Sequence, residues 1–138
     1  MTAVNRTAWI AYAILVGVLY GFVGIVFALP SNHVRFWRLA AWGVSGAIYV
    51  SHIGYEQFWL RNSRVATSVH AALAAALGGF LLAVGATVHA ATIPTHAAYW
   101  RFRIALVVWP IITAVPALLV ALVVTVVLGY MSRTRAAD

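Results

Sequence analysis

The chain of 138 residues has no cysteine and no lysine, and only two acidic residues, Glu56 and Asp138. Each absence removes a class of function. Without cysteine there are no disulfides, thiolate metal sites, iron–sulfur clusters or thiol chemistry. With Glu56 alone in the body of the chain, there is no second acid for general acid–base work. The motifs G-x-S-x-G and H-E-x-x-H and a phosphate loop are missing too, so no catalytic apparatus is legible and the reading is non-enzymatic. Charged residues make up 8% of the chain and hydrophobic ones 64%. Nine arginines and two acids cannot cover a domain with polar surface, so the solvent of this protein is lipid.

A net charge of +7 would suit a nucleic-acid partner. The arginines, however, stand in pairs beside apolar runs, which is the pattern of membrane flanks, so nucleic acid is rejected. The partner read from composition is membrane lipid, in a bacterial-type inner or plasma membrane. The predicted fold is all-α: one domain over 1–138, with four transmembrane helices in an antiparallel up-down bundle.

The predicted spans cover about 8–29, 34–60, 65–91 and 104–131. The first, at ~1.5 Å per residue, is about 33 Å long and exceeds the core of a signal peptide, so it is expected to be retained. Ala13, Gly17, Gly21, Gly24 and Ala28 recur along it at helical spacing, a small-residue stripe that lets a neighbour approach closely. Pro30-Ser31-Asn32 then breaks the helix. The second span carries two faces. Ala40, Gly43, Ala47, Ser51 and Gly54 form a stripe for close packing, while Ser45, Tyr49, His52, Glu56 and Trp59 form a polar one. Polar groups are expensive in hydrocarbon, so the second stripe should face protein, a cavity or a ligand. Arg61 to Arg64 form a polar turn. The third span is alanine-rich, with Ala71, Ala75, Gly78 and Gly85 along one side. A loop over 92–99 holds Pro94 and His96. Pro110 and Pro116 should kink the last span.

Two patterns point to candidate sites. Pro30-Ser-Asn-His33-Val-Arg35-Phe36-Trp37-Arg38 is echoed by Pro94-Thr-His96-Ala-Ala-Tyr99-Trp100-Arg101, as two tandem helical hairpins would be. The echo gathers Arg35, Arg38, His96, Trp37, Trp100, Arg101 and Arg103 into a rim for an anionic lipid or ligand; an ordinary aromatic belt with snorkelling arginines explains the same residues. The second pattern is one of depth. Across an antiparallel hairpin centred near residue 61, His52 faces His70 and, more weakly, His33 faces His89. Facing imidazoles on neighbouring helices can be axial ligands of a b-type haem, or a metal site with Glu56. The plainer alternative gives these histidines local hydrogen bonds and pairs Glu56 with Arg61 or Arg64. As the lone acid near the bilayer, Glu56 with Tyr49 and Ser45 is also a candidate proton or ion site.

On a four-span topology Arg6, Arg61, Arg64, Arg133 and Arg135 lie on one side and Arg35, Arg38, Arg101 and Arg103 on the other. This slight excess places both termini in the cytoplasm. In size and charge balance the chain resembles, as a class, the small dual-topology transporters and channels. Three functions are therefore carried forward. The first is association, as a homo-oligomer or an accessory subunit of a membrane complex. The second is haem binding at His52 and His70 for electron transfer or sensing. The third is proton- or ion-coupled transport using Glu56.

Overall fold

The computed structural model describes residues 4–92 and 99–134, with side chains over 8–92 and 100–131. Four helices follow one another: α1 (Val4–Val26), α2 (Val34–Gly54), α3 (Arg64–Ala91) and α4 (Tyr99–Thr134); no strand occurs among the described residues. Three of them, α1, α3 and α4, are long and apolar enough to cross a membrane. The run in α2 is diluted by Arg35, Arg38, Ser45, Ser51 and His52.

The small residues of α1 are used as the sequence implies. Gly17 and Gly21 lie against Leu77 and Leu81, Gly24 against Leu82, and Gly78 of α3 against Tyr20. Paired residue numbers rise together along α1 and α3, which places Trp9 beside His70. On its other flank α3 meets α4 with the reverse sense: Thr87 bonds Phe102 O, Thr113 bonds Ala75 O, and Arg64 lies over Gly129. The core is thin and made of small residues. One cluster joins Ala13, Val16 and Ala74, with Trp9, Tyr12, Tyr20 and Ile48 packed on it. The other joins Ile53, Ala71 and Ala121, with Tyr49, Val124 and Leu128. Small residues of this kind let helix backbones approach closely, the packing common between helices in lipid.

The α4 helix runs without a break through Pro110 and Pro116. It is apolar on every side, and large residues such as Val107, Ile111, Leu119 and Val123 point outward. This is the surface expected of a helix bathed in acyl chains.

The α2 helix behaves differently. Its closing turns enter the core through His52 and Ile53, whereas Leu39 and Trp42 earlier in the helix are 72% and 80% exposed. The stripe expected to pack closely does not do so at its glycines: a Cβ added at Gly43 or Gly54 would meet nothing within 4 Å, and the same holds at Gly46 outside the stripe. Its start is held by Trp37, whose ring stands edge-on to Phe27 at the end of α1, 5.8 Å away.

Candidate functional site

The site is made where α2 loosens. A helix through residue 60 is predicted, but after Gly54 the chain widens into a π-helical segment, Tyr55–Trp59. Such wide turns recur at functional sites because they re-aim side chains. The segment closes with Arg61 in the left-handed region, φ 52°, the conformation glycine usually supplies at helix ends. With that reversal the Asn62 amide N–H donates to Glu56 O at 3.1 Å, and the Asn62 side chain returns to the carboxylate. Ser63 caps α3 by accepting from the Ala66 N–H at 3.2 Å. Arg61→Gly relieves the left-handed strain, so it is expected to be neutral or stabilising by up to about 1 kcal/mol in a chemical melt.

Glu56 is 0% exposed. Its Oε2 accepts from Asn62 Nδ2 at 2.8 Å and lies 2.7 Å from His70 Nδ1. Its Oε1 lies 3.0 Å from the same nitrogen and 3.4 Å from His52 Nε2. Three side chains from α2, the turn and α3 thus converge on one carboxylate. Burying a carboxylate without partners is prohibitive, and here its oxygens are ringed by nitrogens.

Aromatic rings enclose the cluster. Trp9 stacks on His70 with centroids 3.9 Å apart and planes 5° from parallel. Tyr12 meets His52 edge-on at 5.2 Å and packs on Tyr55 at 4.4 Å. His52 is 0% exposed, while the His70 side chain retains 12%.

The other predicted residues fall as follows. Tyr49 faces inward, its hydroxyl donating to Ala117 O of α4. Ser45 is half-buried, three helical turns before Glu56. Trp59 turns outward, 78% exposed, because the widened segment carries it off the polar stripe. Glu56 bonds Asn62 and the two imidazoles rather than Arg61 or Arg64; Arg64 instead lies along the α4 backbone at Gly129. His33 and His89 are both exposed, and no bond or ring contact joins them among the described residues. Arg35, Arg38, Trp100, Arg101 and Arg103 are exposed and Trp37 is half-buried. The Arg101 guanidinium sits 5.8 Å from the Trp100 ring centre. His96 lies outside the described residues.

The pairing of His52 with His70 leaves a carboxylate, not an open slot, between the two rings. An axial haem pair needs both imidazoles to face one porphyrin iron, and here each aims a nitrogen at Glu56. Among the described residues no set of three His or acidic side chains is disposed to hold a metal. Sequence reasoning missed Asn62, Trp9 and Tyr12. A span-opening tryptophan and a turn asparagine carry no signal of a shared site until the turn geometry is known.

No family model matches the chain, and searches of curated proteins and of solved structures give no match either.

Proposed function

We propose that this chain is a small non-enzymatic membrane protein that binds and moves protons at Glu56, in the manner of a proton-coupled transporter or channel. In this reading α2 crosses the bilayer with the other three helices in an up-down bundle. Both termini are cytoplasmic, and the Glu56 site sits near that face, beside Arg61 and Arg64. The observation carrying the proposal is a fully buried carboxylate held between two imidazoles. Buried ionisable clusters are a poor means of stabilising a fold, since apolar side chains of similar volume do as well or better. Ionisable groups at membrane depth mark proton and ion pathways instead, and histidine changes charge within the physiological range.

Purified protein in liposomes loaded with a pH-sensitive dye, under an imposed potassium diffusion potential, tests this directly. The wild type is expected to acidify or alkalinise the lumen well above protein-free vesicles. Glu56→Gln should lower that rate at least tenfold. Equal rates for the two proteins remove Glu56 from the function.

A second reading, association, is favoured by α2. Gly43 and Gly46 have open space before them, one helical turn on from the exposed Leu39 and Trp42. Close-packing glycines on an outward face suit a second transmembrane helix better than lipid. The particle mass in nanodiscs is then expected to be a multiple of the chain mass, and Gly46→Leu should return it to the monomer. A wild type that is already monomeric and brings down no membrane partner ends this reading.

A further inference from the structure

Resting on the proton-handling reading of Glu56, the geometry points to His52 Nδ1 as the atom that takes up the proton, with His70 a positioning residue.

The two imidazoles are unequal. His70 lies close to both carboxylate oxygens, at 2.7 and 3.0 Å through Nδ1. Its ring is stacked on Trp9, and it keeps some outside exposure. It is fixed by two partners and serves to hold the carboxylate. His52 touches Glu56 only through Nε2, at 3.4 Å. Its other nitrogen, Nδ1, is buried and has no hydrogen-bond partner in the protein. Buried ring nitrogens are almost always bonded, so one left bare inside an ionisable cluster needs a reason.

Opposite a carboxylate, His52 Nε2 is the N–H donor, which leaves Nδ1 as a lone pair. Nothing in the protein bonds this lone pair, so the donor proposed for it comes from water, and the smallest is a proton. The step is simple: hydronium gives its proton to Nδ1, one N–H bond forms, water is released, and the imidazolium pairs with the Glu56 carboxylate already beside it. The groups facing His52 fit this step. Tyr12 from α1 presents its ring edge-on, Tyr55 and Glu56 come from the widened turn, and His70 and Glu56 share a bond across from α3. From α4 this end receives the apolar Ala121, Val124 and Leu128. Among the groups named, Glu56 is the one acid placed to balance the new charge.

Nitrogen-15 NMR of the full chain, labelled at histidine and held in nanodiscs, tests the assignment without reference to transport. The His52→Gln spectrum identifies the resonance. The His52 Nδ1 signal is expected to be that of a bare nitrogen at the alkaline end of the pH range over which the protein stays folded and of a protonated one at its acid end. Proton flux supplies the second measurement. His52→Gln keeps a donor where Nε2 stood but cannot titrate, so flux should fall at least tenfold. His70→Asn keeps a donor where Nδ1 stood, so at least a third of the flux should remain. A His52 Nδ1 that is protonated throughout that range, or bare throughout, overturns the proposal. So does undiminished flux in His52→Gln when Glu56→Gln is inactive. If Glu56→Gln itself conducts normally, the proton-handling reading falls instead, and the NMR result still decides which nitrogen titrates.

Discussion

Glu56→Ala is expected to destabilise the protein by about 3–5 kcal/mol, the usual result of deleting one member of a buried charged cluster. The loss does not come from the carboxylate alone. Asn62 Nδ2, His70 Nδ1 and His52 Nε2 all aim at it, and each would lose its acceptor, His52 in full burial and the other two half-buried. Glu56→Gln keeps an oxygen for Asn62 or His70 and should cost less, about 1–3 kcal/mol. The informative companion replaces Glu56, His52 and His70 together with Leu. If the cluster exists for chemistry rather than for the fold, this triple variant should regain most of the loss, because well-packed apolar residues commonly match or exceed a buried ionic set. Reversible unfolding in mixed micelles reads all three. Glu56→Ala within about 0.5 kcal/mol of wild type, near the level of an ordinary surface substitution, would show that the carboxylate is not the hub of this end of the molecule.

Much of that hub could be read from residue spacing, and part of it could not. The facing of His52 and His70 follows from helix depth on either side of a turn at residue 61, and the inward course of Tyr49, His52 and Glu56 follows from periodicity. Both rules assume regular helices. The widening at Tyr55–Trp59 breaks that regularity, which is why Trp59 leaves the stripe and Asn62 joins the site. A left-handed arginine at the turn has no sequence signal, since that conformation normally announces itself through glycine or asparagine. The stripes of small residues illustrate the same limit. Those on α1 and α3 describe a contact inside the chain, whereas that on α2 faces open space, and composition treats the two alike. The contribution of α1 to the site was also illegible, because Trp9 reaches His70 only through the register in which α1 lies along α3.

That register has its own test, and Gly78→Ala should be the most damaging of the single-methyl changes on the described glycines of the α1–α3 contact. A Cβ at position 78 would stand 2.5 Å from Tyr20 Cβ and 3.3 Å from the Gly17 carbonyl oxygen. Neither neighbour can be moved by rotating a side chain, so the helices must separate by roughly 1 Å to reach ordinary carbon contact distances of about 3.5–4.0 Å. Overpacking of this kind costs about 1–3 kcal/mol, against a gain of up to about 1 kcal/mol from better helix propensity. Gly46→Ala is the matched control: nothing lies within 4 Å of it, so only the propensity gain applies and the isolated chain should be unchanged or slightly more stable. The consequence extends to the site, because α1 carries both Trp9 and Tyr12. Lifting α1 away from α3 slides the indole off the His70 ring, whose carbon-bound protons then lose the ring-current shift that a stack at 3.9 Å imposes. Gly78→Ala should therefore move the His70 ring resonances toward ordinary histidine positions while Gly46→Ala leaves them in place. Identical His70 spectra for the two variants would mean that the α1–α3 crossing does not position the aromatic wall of the site.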